Sequence, residues 1–318
     1  MAAIRPCQNA RIMCRLRCCH VSWSPDRCTV EGGRLSRHRR EAMRPLPAGD
    51  DAARTRDRTM TTLELIAGRH AGLAFLAWLA GACALGLWVG RLLDASRTSP
   101  ARRSRVMAGL IAGGVAVFGF IAANVVTESR LVAFDKVLAE TLAERASPAW
   151  LRFLSMLTVA GDRDFLLGLG TLVLAVLLWR RRWRDAVLWL AGTLGAAGLN
   201  VLLKSTFQRV RPEHLHGFTQ ELGWSFPSGH ATGAMAVYGM LAYLLAGLAP
   251  PAWRQAMAMF AAGLIASVGY SRVMLQVHYL SDVIAAFAVT AAWLMACVAV
   301  RERTDRSRVL RPSGLRSR

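Results

Sequence analysis

The chain has 318 residues, of which 54% are hydrophobic, and it carries a formal net charge of +20. Such an apolar composition excludes an ordinary soluble domain. The cations lie mainly in loops and tails between apolar segments, which favours lipid headgroups over nucleic acid as their partner. We therefore expect a membrane protein that binds no nucleic acid.

Residues 1–59 differ from the rest of the chain. They hold five of the seven cysteines and 13 arginines against six acidic residues. No apolar core of about 7–15 residues follows the early arginines, so an ordinary signal peptide is not predicted. The cysteines also lack the ordered spacing of a zinc finger. We interpret this segment as a basic extension, either a disordered tail or translated upstream sequence with the true start at Met43 or Met60.

Seven apolar segments are long enough to cross about 30 Å of hydrocarbon as helices. They are 71–90, 106–126, 162–179, 186–203, 230–249, 255–271 and 281–300. The sequence therefore predicts an all-α, polytopic transmembrane helical bundle. Residues 106–300 would form a six-helix core, residues 60–105 one extra N-terminal span and a cytoplasmic loop, and residues 301–318 a basic cytoplasmic tail.

Residues 127–161 combine charged and apolar groups at helical spacing. Pro148 follows Ser147, which is typical of a helix start. We expect two short amphipathic helices at about 130–160, lying at the membrane interface. They would either cover a site or simply connect two spans.

The first polar motif comes at the end of the fourth span, where Lys204 is followed by Arg211 and Pro212. Pro212 favours an extended conformation for Arg211, so both cations can face one region. Taken alone, a snorkelling lysine and a solvated arginine would explain this motif as well.

The second motif, Pro-Ser-Gly-His at 227–230, leads into the fifth span. Ser228 is a plausible helix cap, and Gly229 lets backbone N–H groups at a helix N-terminus approach an anion. His230 would lie in the first turn, where it could act as a general acid. An ordinary cap with an interfacial histidine is the alternative.

The third motif joins Arg272, His278 and Asp282. Arg272 offers a planar fork suited to phosphate oxygens. His278 and Asp282 share a helix face if the last helix has begun at His278. A carboxylate that binds one imidazole nitrogen leaves the other free as a nucleophile. A purely structural His–Asp pair remains the alternative.

The spacing between the motifs brings them to one face. Forty residues separate His230 from Ser271, enough for one helix inward, a turn at Pro250-Pro251 and one helix back. With the motifs outside, the inner loops and tail hold 17 Lys and Arg in 44 residues, against 9 in 73 for the outer loops. This bias predicts a multi-pass protein of the cell (inner) membrane whose site faces the periplasm or exterior.

Together the motifs read K-x6-R-P, P-S-G-H and S-R-x5-H-x3-D. This pattern resembles the signature of the type 2 phosphatidic acid phosphatase (PAP2) superfamily, to which vanadium haloperoxidases are also related, over about residues 106–300. The resemblance implies a phosphate cradle formed by Lys204, Arg211, Ser228, Gly229 and Arg272. It also implies three catalytic residues: His278 as nucleophile, Asp282 as its orienting carboxylate and His230 as the acid.

The resemblance further implies a phosphohistidine intermediate that water hydrolyses. Three fixed cations can stabilise such a transfer without a metal ion, so we expect no metal and no cofactor. The expected enzyme is a phosphoric monoester or acid-anhydride hydrolase. Its partners would be membrane lipids and a lipid phosphate substrate: phosphatidate, phosphatidylglycerol phosphate, lipid A phosphate or a polyprenyl diphosphate such as undecaprenyl diphosphate. The oligomeric state is left open.

Three other functions were weighed. A haloperoxidase could hold vanadate in the same pocket, although the many apolar spans disfavour it. A non-catalytic phosphate-binding member would not need the unbroken signature. A transporter is least favoured, because the ionisable groups lie at segment ends and not near the middle of the membrane.

Overall fold

The computed structural model describes residues 71–212 and 223–309. Within these ranges all regular structure is helical, which confirms the all-α prediction. The interpretation of residues 1–59, and the end of the predicted basic tail at 310–318, lie outside the described residues.

The described part of the chain contains nine α-helices, here numbered in chain order. They are α1 Ala71–Ala95, α2 Pro100–Val126, α3 Arg130–Arg145, α4 Pro148–Leu157, α5 Arg163–Trp179, α6 Trp183–Phe207, α7 Gly229–Leu248, α8 Pro251–Met274 and α9 Leu280–Val309. Short 3-10 turns occupy Ser96–Thr98 and Thr158–Gly161. The two short helices predicted near 130–160 are thus confirmed as α3 and α4.

Six of the described helices are long and apolar enough to cross a membrane, namely α1, α2, α6, α7, α8 and α9. The seventh predicted span forms α5, which has only 17 residues and a length of about 26 Å. Its first turn lies beside His230 at the start of α7, and its last turn precedes the start of α6. Since α6 and α7 start at opposite ends of the bundle, α5 still joins the two ends.

Local sequence explains where several helices begin. Ser99 accepts a hydrogen bond from the Arg102 N–H ahead of α2, and Ser147 accepts one from the Trp150 N–H ahead of α4. Both helices also have proline at their first position, where its missing N–H costs nothing. At the other end of a helix, Gln208 takes a left-handed conformation (φ 45°) that closes α6.

The helices pack around α7, α8 and α9. α1 lies along α8, α2 lies along α9, and α6 contacts both α7 and α9. The largest apolar cluster includes Trp189, Met240, Val268 and Leu294 from α6 to α9. Gly86 allows the close approach of α1 to α8, because a Cβ there would lie 2.6 Å from the Ala262 Cβ. The four last long helices therefore form the frame that carries the polar motifs.

One end of the bundle is rich in arginine and held by ion pairs. Arg103 of α2 binds Glu302 of α9 at 2.8 Å, and Arg301 of α9 binds Asp185 of α6 at 3.1 Å. All three polar motifs lie at the opposite end, as predicted from the spacing between them.

Candidate active site

The two cations of the first motif meet at one backbone oxygen, three residues before the second motif. Lys204, in the last turn of α6, donates a hydrogen bond from Nζ to the carbonyl of Trp224. Arg211 lies beyond the helix, outside regular structure, and donates to the same carbonyl at 3.3 Å. Its Nε also donates to the Gly223 carbonyl at 2.9 Å. The two cations of the first motif are thus held side by side.

His278 lies in the loop between α8 and α9, which corrects one expectation from the sequence. α9 begins only at Leu280, so His278 and Asp282 do not share a face of one helical turn. They meet across the helix start instead, with His278 Nδ1 3.4 Å from Asp282 Oδ2. Both side chains are buried, with 1% and 0% of their surface exposed. The predicted pair is therefore present, by a different local geometry.

The neighbours of His278 determine its tautomer. Arg211 NH1 lies 3.1 Å from His278 Nε2, and because a guanidinium can only donate, Nε2 must accept. The proton of the neutral ring is then on Nδ1, facing Asp282. Burial lowers the pKa of His278 from 6.5 to about 3, Asp282 opposes this shift, and Arg211 and Arg272 add to it. His278 is thus a neutral imidazole whose Nε2 lone pair faces a cation.

Asp282 is held by donors on both of its oxygens. Oδ1 accepts from Arg209 NH1 at 2.6 Å, and Oδ2 accepts from the Tyr279 N–H at 3.0 Å and from the Ser225 hydroxyl. Ser225 Oγ also lies 3.3 Å from His278 Nδ1. These donors fix the carboxylate in an orientation in which Oδ2 faces the Nδ1–H group of His278.

The start of α7 takes the form that the second motif predicts. The Ser228 side chain accepts a hydrogen bond from the Ala231 N–H, and α7 begins at Gly229 with His230 in its first turn. The Ser228 N–H donates to the Asp282 carbonyl at 3.2 Å, which ties this helix start to the third motif. The N-terminal N–H groups of α7 and its positive dipole end therefore lie next to the His278–Asp282 pair.

The turn between α4 and α5 links the remaining two residues of the predicted site. His230 Nε2 lies 2.7 Å from Asp162 Oδ1, directly after this turn. Arg272, whose side chain is buried, donates from NH1 to Thr158 Oγ1 at 3.0 Å. A Cβ on Gly161 would lie 3.3 Å from the His230 ring, so the turn packs closely against it. All eight predicted site residues are thus brought together at one end of the bundle.

The structure adds site residues that the sequence reasoning missed. Asp162 contacts His230, Thr158 contacts Arg272, and Ser225 and Asp135 belong to the network around Asp282. Arg209, between Lys204 and Arg211 in the chain, belongs to the same network. No local motif marks these residues, because each contacts its partner only after distant segments have packed.

We also searched the described residues for metal-binding groups. Within 71–212 and 223–309, no cluster of three or more His, Cys, Asp and Glu side chains is arranged to hold a metal ion. The charged groups that act on His278 are Asp282, Arg211 and Arg272.

Comparisons with known proteins agree with this geometry. The PAP2 superfamily model matches residues 185–306. The chain is similar to phosphatidylglycerophosphatase B of Bacillus subtilis, with 31% identity over 175 residues that cover 54% of this chain and 86% of that protein. It is also similar to lipid A 1-phosphatase of Rhizobium johnstonii, with 32% identity over 174 residues that cover 52% of this chain and 67% of that protein.

A solved structure shares the fold. The crystal structure of a transmembrane PAP2 type phosphatidylglycerolphosphate phosphatase from Bacillus subtilis matches with a TM-score of 0.54 and 28% identity. The match covers 60% of this chain and 96% of that one. The similarity therefore extends over nearly the whole of the smaller bacterial protein.

Proposed function

Because this chain belongs to the PAP2 superfamily, we propose that it is a membrane phosphatase that hydrolyses a lipid phosphate or diphosphate through a phosphohistidine intermediate and without a metal ion. The six apolar helices within the described residues, together with the relatives, make it a multi-pass membrane protein. The proposal concerns its substrate class, its mechanism and the face of the membrane on which it acts.

One observation carries the mechanism: the buried, neutral His278 with its proton on Nδ1. The Nε2 lone pair accepts a hydrogen bond from Arg211 NH1 at 3.1 Å, and this cation, suited to phosphoryl oxygens, would release it on turning to the substrate. Asp282, on the other side of the ring, would stabilise the positive charge that develops as Nε2 forms a bond. This arrangement supports His278 as the nucleophile.

In the first step His278 Nε2 attacks phosphorus, and the bond between phosphorus and the leaving oxygen breaks. His230 supplies the proton that this oxygen needs, a role supported by Asp162, whose carboxylate lies 2.7 Å from His230 Nε2 and orients the ring. In the second step water attacks phosphorus, His230 takes the proton of the water, and the phosphorus–nitrogen bond breaks. Inorganic phosphate and the dephosphorylated lipid are released, and His278 is neutral again.

The phosphoryl oxygens would be bound by Lys204, Arg211 and Arg272, with help from Ser228 and the backbone of Gly229. Three cations can neutralise the charge on the equatorial oxygens during an in-line transfer. Lys204 and Arg211 donate to the Trp224 carbonyl in this structure, so the substrate would take the place of a backbone acceptor.

We place the site on the periplasmic or exterior face of the cell (inner) membrane. The charge distribution supports this, since the end of the bundle opposite the site carries Arg180-Arg181-Arg182 and the arginines of α9. Arginine-rich ends of membrane helices favour the cytoplasm. A lipid with its tails in the bilayer could then present its phosphate at the level of the site.

The relatives support a lipid phosphate as substrate, because the names of both refer to phosphatases of phosphorylated lipids. We propose that class and no single member of it. Phosphatidylglycerol phosphate, lipid A phosphate, phosphatidate and polyprenyl diphosphate are the compounds to compare.

The direct test measures phosphate release from this panel by the full-length protein in detergent, together with alkaline denaturing-quench trapping of a phosphoenzyme that is stable in base and labile in acid. We expect release from at least one lipid and a trapped phosphoenzyme that His278→Gln abolishes. Lys204→Ala should lower turnover without abolishing it. Normal turnover by the His278 variant, or peroxide-dependent halogenation in place of phosphate release, would refute the proposal.

A further inference from the structure

Arg209 lies two residues before Arg211 of the phosphate cradle, and its side chain contacts acidic groups behind the His278–Asp282 pair. α6 ends at Phe207, and the left-handed Gln208 turns the chain so that the Arg209 side chain is only 8% exposed. It lies between two buried carboxylates. NH1 donates to Asp282 Oδ1 at 2.6 Å, and NH2 donates to Asp135 Oδ2 at 2.9 Å.

The contact with Asp282 bears directly on the nucleophile. Arg209 binds Oδ1, so the other oxygen, Oδ2, is turned toward the Tyr279 N–H and toward His278 Nδ1. The guanidinium also lies over the Tyr279 ring, 4.2 Å from its centre, which restricts its position further. Movement of Arg209 would therefore rotate the carboxylate that orients His278.

Asp135 anchors this arrangement from α3. Its carboxylate accepts from the Ser281 N–H at 3.2 Å and from the Ser281 hydroxyl, in addition to Arg209. Arg209 NH1 also donates to Ser281 Oγ at 2.8 Å. Asp135, Arg209, Ser281 and Asp282 thus form a closed network, and α3 is attached through it to the start of α9.

The charges agree with a fixed, structural cation. Burial alone would lower the pKa of Arg209, but Asp282 and Asp135 more than offset this and the net shift is upward. A planar fork with two separate donor edges is required to reach both carboxylates, and a lysine has only one donor centre. The described contacts of the Arg209 side chain are with the two carboxylates, Ser281 and the Tyr279 ring.

We propose that Arg209 is a positioning residue, anchored by Asp135, that holds Asp282 in the orientation needed by His278 and does not bind the phosphoryl group. This role rests on the proposed function, because it acts through the nucleophile. It also gives the interfacial helix α3 a part in catalysis beyond connecting two spans.

The kinetic test compares Arg209→Gln, Arg209→Lys and Asp135→Asn with the wild type. Loss of a charge-assisted hydrogen bond predicts a kcat roughly 10- to 100-fold lower for Arg209→Gln. KM and the inhibition constant of inorganic phosphate should stay within about twofold, because binding of the phosphoryl group is untouched. Arg209→Lys should be intermediate, and Asp135→Asn should lose less than Arg209→Gln because the Arg209–Asp282 contact remains.

The matched control is Arg152→Gln, an exposed arginine on α4, which should behave as wild type. Arg209→Gln leaves two buried carboxylates without a cation, so its folding is checked by size-exclusion chromatography in detergent. If it aggregates, the double variant Arg209→Gln with Asp135→Asn, which leaves only one such carboxylate, is used in its place. A phosphate inhibition constant raised about tenfold or more with unchanged kcat would make Arg209 a phosphate ligand and overturn the proposal.

A second readout does not depend on turnover. The ¹⁵N shifts of the His278 ring, assigned with His278→Gln, report its tautomer and its titration in detergent. The groups that face this ring are Asp282, Arg211 and Arg272. We expect the Nδ1–H tautomer in both proteins, because Arg211 still donates to Nε2, but in Arg209→Gln an altered Nδ1 shift and a changed titration, because Asp282 is no longer held against Nδ1–H.

An unchanged Nδ1 shift and titration in Arg209→Gln would overturn the inference, since a merely structural role would leave both unaltered in the folded fraction. The absence of phosphate release and of a phosphoenzyme in the wild type would instead contradict the proposed function. In that case the ring shifts would still decide whether Arg209 positions the His278–Asp282 pair.

Discussion

The substitution Asp282→Asn changes only one oxygen to an amide nitrogen, yet the structure predicts a large effect. Every described group that contacts the two carboxylate oxygens is a donor: Arg209 NH1 on Oδ1, and the Ser225 hydroxyl, the Tyr279 N–H and His278 Nδ1–H on Oδ2. An amide must place its own donor on one side. Either orientation therefore creates a buried contact between two donors.

The magnitude follows from those two orientations. With the amide nitrogen toward Arg209, a guanidinium loses its buried acceptor. With the nitrogen toward His278, the ring proton must move to Nε2, which then meets the Arg211 donor and loses its lone pair. A buried group deprived of its partner costs about 1–3 kcal/mol, and more where it is charged. We take this cost as about 3 kcal/mol and add it to the activation free energy, which corresponds to a kcat about 150-fold lower.

The assay measures kcat for phosphate release and the rate of phosphoenzyme formation after rapid mixing, both in detergent. Asp164→Asn is the matched control, because Asp164 is exposed in the first turn of α5. The fold should persist in Asp282→Asn, since Arg209 keeps Asp135 as a counter-ion. A variant that retains more than about a third of wild-type kcat would refute the reasoning.

Three further predictions concern pH, the acid and metal ions. With the pKa of His278 near 3, the nucleophile is neutral at all usual pH values, so the acid limb of kcat/KM should lie well below pH 6.5; a limb at 6.5 matched by titration of the His278 ring ¹⁵N shifts at that pH would contradict this. Because of the same shift, the unfolded chain binds this proton more readily than the folded chain does. The stability contributed by a neutral His278 is therefore complete above pH 6.5 and falls as the pH drops from 6.5 toward 3. Thermal unfolding at several pH values should report this loss. Asp162→Asn should lower kcat about two- to fivefold with little change in KM, since the Asp162 side chain is 45% exposed and its pairing with His230 is screened; a loss above 100-fold would assign it a greater role. Excess chelator should leave turnover unchanged, and activity restored only by a divalent ion would refute the metal-independent mechanism.

Much of the fold could be predicted from sequence because membrane spans depend on local composition. Length and hydropathy alone identified every long helix, and Ser147-Pro148 identified the start of α4. The eight site residues were found because each lies in a short motif and because the number of spans between motifs decides which end of the bundle they occupy. The length of α5 was less certain, since a 17-residue helix lies at the lower limit for crossing.

The network behind the site could not be predicted in the same way. Asp135 and Arg209 are 74 residues apart, and Asp162 and His230 are 68 apart. Nothing in the residues around each partner specifies the other, because the contact depends on how α3, α5 and α7 pack. His278 shows the same limit on a local scale: its spacing from Asp282 suggested one helical turn, but α9 starts two residues later than that reading required.

Arg211 donates hydrogen bonds to three backbone carbonyls, those of Gly223, Trp224 and Val277. These bonds affect which anions the site can select. An anion can draw this arginine away only if it offers more than three well-placed peptide oxygens do. The phosphodiesters of ordinary phospholipids carry one negative charge each and surround the protein in great excess. A terminal phosphate carries up to two charges on three unshielded oxygens. Arg211 would thus bind a terminal phosphate in preference to a singly charged phosphodiester. The surrounding phospholipids would then not compete with the substrate for the site.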